Sequence, residues 1–103
     1  MKQIPLGSTR VQMPQVALGC MRISSLELAD AERLIETAQE CGINFFDHAD
    51  IYGGGESEKI FARAARLTPS RREQMTIQSK CAIHDGIYDF SRDYILKSVD
   101  GIL

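Results

Sequence analysis

Three short, largely apolar runs, Val16–Cys20, Ile43–Asp47 and Met75–Lys80, alternate with stretches whose apolar residues recur at helical spacing. That alternation leaves few architectures open. Runs this short read as strands rather than helices. A helix between consecutive strands implies parallel pairing, since only a crossover returns the chain in the same direction. Parallel strands are covered on both faces, which suits their apolar character. The first helix is expected to start from the capping box Ser24-Ser25-Leu26-Glu27, to carry Leu28, Ala31, Leu34, Ile35 and Ala38 on its buried stripe, and to stop at Gly42. A second is expected over Glu56–Leu67, with Ile60, Phe61, Ala64 and Leu67 on one face and Thr68-Pro69-Ser70 ending it. After a polar connection through His84-Asp85-Gly86, Ser91 is expected to cap a third helix with Tyr94, Ile95, Val99 and Ile102 as its apolar positions. Ahead of everything, Lys2–Leu6 and Thr9–Met13 flank Gly7-Ser8 and predict a β-hairpin stopped by Pro14.

The fold class is therefore α/β: an N-terminal β-hairpin followed by about three βα units. A closed eight-stranded α/β barrel takes about 250 residues, so 103 residues correspond to a partial (β/α)8 TIM barrel. Two strand edges and several apolar faces are left uncovered, which predicts self-association through the unpaired edges. A content of 44% hydrophobic and 25% charged residues excludes a disordered class. A net charge of −2 gives no attraction to nucleic acid or to an anionic membrane. No apolar run approaches the roughly 20 residues needed to cross a bilayer, and Met1–Pro5 has no signal-peptide core. The three cysteines, Cys20, Cys41 and Cys81, are odd in number and widely spaced, as expected of free thiols in a cytoplasmic protein.

The chemistry concentrates at Phe45-Phe46-Asp47-His48-Ala49-Asp50-Ile51-Tyr52-Gly53-Gly54-Gly55-Glu56. A carboxylate at the end of a buried strand needs a partner, and Lys80, closing the next apolar run, is the candidate. In neighbouring parallel strands Asp47 and Lys80 leave the sheet at the same edge, with Tyr52 above them. α/β barrels place their chemistry at that edge. A phenol normally ionises near pH 10. A nearby ammonium favours the phenolate, and a carboxylate keeps the ammonium charged and in place. Such a trio suits proton donation to an oxygen that is becoming an alkoxide, as in carbonyl reduction.

These residues resemble the aldo-keto reductase family. The likeness rests on the N-terminal hairpin, Leu18-Gly19, Asp47-x-Ala49-x-x-Tyr52-Gly53, Glu56 and Ser79-Lys80. The octet Asp47-His48-Ala49-Asp50-Ile51-Tyr52-Gly53-Gly54 is similar to that of a bacterial subgroup of reductases. The resemblance implies that residues 1–103 are the N-terminal fragment of one barrel domain that uses NADPH to reduce a small-molecule aldehyde or ketone. It implies Tyr52 as general acid, Lys80 as its tuner and Asp47 as the holder of Lys80. Gly19, Cys20, Met21 and Asp47 are the implied cofactor contacts. The family's catalytic histidine would lie beyond Leu103, and neither His48 nor His84 fits its place. Without the rest of the barrel the chain is expected to be inactive.

Other readings stand beside this one. A truncated, non-enzymatic barrel fragment needing a partner chain would carry the same residues. A metal-dependent barrel hydrolase would use His48 and Asp50, although local hydrogen bonding is the usual role of His-x-Asp in a strand exit. Cys81-x-x-His84 is half of a zinc site, so no metal is expected. Gly53-Gly54-Gly55 before a helix suggests a phosphate cradle, but Glu56 and Glu58 would repel an anion there. A mobile loop carrying Tyr52 is the expectation for those glycines. Arg63, Arg66, Arg71 and Arg72 fit a helix C-terminus rather than nucleic acid.

Overall fold

The computed structural model describes residues 1–103. Strands β1 (Gln3–Pro5) and β2 (Gln12–Pro14) form the N-terminal antiparallel hairpin, with Ile4 opposite Met13. Its connection is wider than the sequence suggests: Leu6 N–H donates to Val11 O at 2.9 Å, and Thr9 Oγ1 donates to Leu6 O at 2.7 Å. Pro14, expected to stop the strand, instead lies within β2 opposite Gln3, where its missing N–H falls at the end of the ladder.

A parallel sheet follows, in the order β3 (Leu18–Gly19), β4 (Phe45–Asp47), β5 (Thr76–Gln78). Gly19 pairs with Asp47, and Asp47 with Gln78. The expected strands are all present and all shorter than their apolar runs. Helix α1 (Leu28–Glu40) links β3 to β4. Its capping box is not formed. Ser24 and Ser25 belong to a one-turn 3-10 helix, Ile23–Ser25, Leu26 is extended, and Glu27 takes the N-cap position without a side-chain bond. Ala31, Ile35 and Ala38 are buried as expected, whereas Leu28 and Leu34 face outward. Gly42, at φ +83°, ends the helix in a Schellman arrangement: its N–H reaches Gln39 O at 2.9 Å while Ile43 N–H reaches Ala38 O at 2.8 Å.

Helix α2 (Glu56–Ala64) is shorter than expected, because Arg66 turns the chain at φ +49°. Thr68-Pro69 then begins a helix rather than only ending one. In α3 (Pro69–Glu73), Thr68 Oγ1 accepts from Arg71 N–H at 3.3 Å and Pro69 occupies the first turn. The basic cluster works locally: Arg71 Nε donates to Ala65 O at 2.7 Å and Arg66 pairs with Glu32 at 3.1 Å. After β5 the expected polar connection is a second hairpin, β6 (Ile83–His84) with β7 (Ile87–Tyr88). Asp85 and Gly86 sit at φ +51° and +74°, as two central residues of a two-residue hairpin turn do. Ser91 Oγ accepts from Tyr94 N–H at 3.3 Å and starts α4 (Arg92–Ile102), none of whose residues is buried.

The core gathers Ile35 from α1, Phe46 from β4, and Phe61 and Ala64 from α2, with Cys20, Ile23 and Met75 at its margins. It occupies one side of the sheet. The accessible surface is 7067 Å², against roughly 5,800 Å² for a closed domain of this mass. The radius of gyration of 14.5 Å likewise exceeds the roughly 13 Å of a compact domain this long. The object is an open slab, 39 × 38 × 23 Å. No helix is long and apolar enough to cross a membrane.

Candidate active site

Backbone pairing between the two strand exits brings the charged residues together. Beyond β4 and β5 the chains stay in register: His48 N–H donates to Gln78 O at 2.8 Å and Asp50 N–H to Lys80 O at 3.0 Å. Side chains alternate faces along a strand, so Asp47, its neighbour Gln78 and Lys80 all project the same way. Lys80 was expected to close β5; Gln78 closes it, and Lys80 reaches back from two residues further on.

The Lys80 ammonium has three N–H donors and finds three acceptors: Asp47 Oδ1 at 2.8 Å, His48 O at 2.6 Å and Tyr52 OH at 3.3 Å. Desolvation pulls its pKa down, but the hydrogen bonds it donates to Asp47 and Tyr52 outweigh that, and the ammonium is held above its ordinary value. The Lys80 hydrogen bond holds Asp47 below the usual carboxylate range against a smaller desolvation effect, and Gln78 adds to the lowering. The convergence expected of Asp47, Tyr52 and Lys80 is therefore present in the geometry. Gln78 was not singled out in the sequence. The signal that finds it is the two-residue period, which puts position 78 on the face of position 80.

Tyr52 opens a one-turn 3-10 helix, Tyr52–Gly55, in which Gly53, Gly54 and Gly55 all adopt positive φ. At Gly53 the reason is also steric. A Cβ there would lie 2.3 Å from Ser24 Oγ. The glycines thus press the tyrosine turn against the loop after β3, where Ser57 Oγ also donates to Met21 O at 3.3 Å. The acids of the first turn of α2 are engaged: Glu56 pairs with Lys59 at 3.2 Å and Glu58 accepts from Ser79 Oγ at 2.5 Å. A cavity of about 210 Å³ adjoins Tyr52 and Lys80, walled by Ala49, Ile51, Cys81 and Ile83.

Of the residues expected to meet a cofactor, Gly19 stands opposite Asp47 with open space where a Cβ would be. Met21 is exposed beside it. Cys20 points the other way: it is buried, its N–H donates to Asp47 O at 2.9 Å, and burial pushes its thiol up to about 12. Both hydrogen bonds to the Asp47 carboxylate go to Oδ1.

His48 does not bond locally to Asp50. It is 1% exposed, packs edge-on against Phe61 at 4.5 Å, and neither ring nitrogen has a hydrogen-bond partner. Burial pushes its pKa below 6.5. Unfolded, the ring takes a proton near pH 6.5; folded, it resists. Its contribution to stability is therefore present above that pH and is lost as pH falls towards the depressed folded value. Urea melts of the wild type and His48→Leu between pH 7.5 and 5 are expected to show the wild type losing more stability on acidification, and equal slopes would contradict this reading of the buried ring. His84, whose pKa is raised by hydrogen bonds to Asp85 and Asp89, titrates in the opposite sense and is common to both proteins. It stacks on Tyr94 at 4.3 Å, and its ring nitrogens face Asp85 and Asp89. No group of three or more His, Cys, Asp or Glu side chains is arranged to hold a metal ion.

Comparison with known proteins bears on this arrangement. The sequence profile of the Aldo/keto reductase family matches residues 15–103. The chain is 37% identical over 102 aligned residues to the uncharacterized oxidoreductase YcsN of Bacillus subtilis, covering 87% of this chain and 34% of that protein. It is 34% identical over 107 aligned residues to the 6-dehydroglucose reductase of Novosphingobium aromaticivorans, covering 95% of this chain and 35% of that one. An NADH-specific methylglyoxal reductase of Escherichia coli is 37% identical over 81% of this chain and 27% of its own length. Among solved structures, the holo form of an aldo-keto reductase from Bacillus halodurans superposes with a TM-score of 0.85 at 28% identity, over 100% of this chain and 35% of that one. The chain spans about a third of the length of the first relatives it matches.

Proposed function

This chain belongs to the aldo/keto reductase family, and on that premise we propose that it supplies the proton-donating side of a carbonyl reductase that uses NADPH. The observation that carries the reading is the Lys80 ammonium, bonded at once to Asp47 Oδ1 and Tyr52 OH on the rim of a parallel sheet. Residues 1–103 are the N-terminal part of one barrel domain in this reading, and the substrate is a small aldehyde or ketone in the cytoplasm. Two relatives, a methylglyoxal reductase and a 6-dehydroglucose reductase, bear the names of enzymes acting on carbonyl compounds.

In the reaction, the carbonyl oxygen gains negative charge as the carbon is reduced. Tyr52 OH gives its proton to that oxygen, closing the alcohol. Lys80, already donating to the phenol oxygen, stabilises the phenolate left behind. Asp47 balances the ammonium charge and fixes its place. When bound, the nicotinamide supplies the hydride. The chain's own residues suit such a guest: the space beside Gly19 is open, Asp47 Oδ2 takes neither of the carboxylate's hydrogen bonds, and Met21 is exposed. Cys20 serves by its backbone bond to Asp47 O. NADPH is the proposed form, although one relative is NADH-specific by name.

The face bearing Asp47, Gln78 and Lys80 is uncovered, so turnover by these 103 residues alone is not expected, and the exposed sheet edges favour self-association. The test is a fusion in which residues 1–103 replace the first third of the Bacillus subtilis oxidoreductase. NADPH consumption dependent on an aromatic aldehyde is expected of the fusion and not of the isolated chain. A folded fusion that binds NADPH yet shows no turnover would sink the proposal.

A further inference from the structure

We propose that Gln78 is a positioning residue for this proton-donating site, acting through Asp47. The proposal rests on the reading above but is testable without turnover. Gln78 Nε2 donates to Asp47 Oδ1 at 2.6 Å, the same oxygen that Lys80 Nζ reaches at 2.8 Å. Two donors on one oxygen do what a single ion pair does not. The Asp47 and Lys80 side chains are 30% and 46% exposed, and a pair so open to water is a weak tether. With Lys80 as its only partner the carboxylate is free to rotate and exchange its oxygens, carrying the ammonium away from Tyr52. The amide lies across the strand from Asp47, in direct register, and approaches from a rigid backbone position. It sets the plane of the carboxylate, commits Oδ1 to the interior of the network and leaves Oδ2 as the free acceptor. A glutamine fits the task because it donates without adding charge. A lysine or arginine at the same point would compete with Lys80 for Asp47, and an aliphatic residue would leave the rotation unrestrained.

The consequence is a three-point frame in which Lys80 is held by Asp47, His48 O and Tyr52, while Asp47 is held by Lys80 and Gln78. Gln78 makes no hydrogen bond to Tyr52 and does not line the neighbouring cavity, so its influence on the phenol passes through the carboxylate and the ammonium.

The experiment is an NMR titration of the Asp47 carboxyl carbon and the Lys80 ζ-nitrogen in the full chain, comparing wild type, Gln78→Leu, Gln78→Glu and Lys80→Met. Gln78→Leu is expected to move the Asp47 midpoint upward, because a donor to the charged form is lost. Gln78→Glu, nearly identical in shape, is expected to move it further by adding a like charge, and it answers the question if the leucine variant does not fold. Unchanged Asp47 midpoints in both variants, with backbone amide spectra intact, overturn the role of Gln78. An unchanged midpoint in Lys80→Met instead overturns the Asp47–Lys80 pairing on which the enzymatic reading stands, so the two failures are distinct.

Discussion

Replacing Tyr52 with phenylalanine in the fusion with the rest of a barrel is expected to lower kcat by about 10²- to 10⁴-fold, the usual worth of a positioned general acid. KM is expected to move little. The substitution removes one oxygen and one proton from a half-buried ring whose backbone is set by three glycines and by the contact between Gly53 and Ser24, so the turn keeps its shape. In the proposed reaction the lost group is used only as charge develops on the substrate oxygen, which is why the effect is expected in kcat rather than in binding. Lys80→Met reaches the same oxygen by another route, since it removes the donor 3.3 Å from the phenol together with the bonds to Asp47 and His48 O. The double variant is then expected to be hardly worse than the poorer single one, because the two groups act as a unit. Steady-state kinetics with an aldehyde and NADPH decide it: a Tyr52→Phe fusion within threefold of the parent would leave the phenol without a role.

Much of this arrangement is legible in the chain, for a physical reason. A parallel strand carries its message in a few residues: Phe45-Phe46 must be buried, the next polar residue marks the exit, and the two-residue period then fixes which side chains share a face. That logic places Asp47 and Lys80 on one rim from their sequence positions alone. Less legible are features set by competition between local signals. Ser24-Ser25-Leu26-Glu27 satisfies the capping pattern, yet the pull of Ile23 into the core puts the serines in a 3-10 turn and moves the helix start to Leu28. Thr68-Pro69 reads equally as the end of one helix or the cap and first residue of the next, and the structure uses it as the latter. Asp85-Gly86 makes a two-residue hairpin turn, but its flanking strands have only two residues each, too few for an alternating pattern to mark them. His48 misleads in the other direction. A histidine beside an aspartate in a strand exit suggests bonding, but the alternation that turns Asp47 to the rim turns His48 into the apolar layer against Phe61.

That same alternation makes Phe46 the residue whose loss is expected to cost the most stability. It is fully buried between α1 and α2, its ring 5.0 Å from that of Phe61, and it belongs to the central strand. Truncation to alanine removes the ring's contacts and leaves a cavity that the surrounding helices fill only in part, a change that typically costs about 3–5 kcal/mol. Domains of this size have total stabilities of roughly 5–15 kcal/mol. A slab whose surface exceeds that of a closed domain has little in reserve, so Phe46→Ala is expected to bring it to the edge of unfolding. The effect extends to the rim, because Asp47 follows Phe46 directly and owes its place to the strand. Phe90→Ala supplies the control: that ring is 73% exposed, and its removal is expected to change stability by less than about 0.5 kcal/mol. Urea unfolding of the three proteins followed by circular dichroism separates the outcomes. Similar midpoints for the two variants would mean that β4 is not the strand on which the helices are assembled, and the placement of Asp47 would need another explanation.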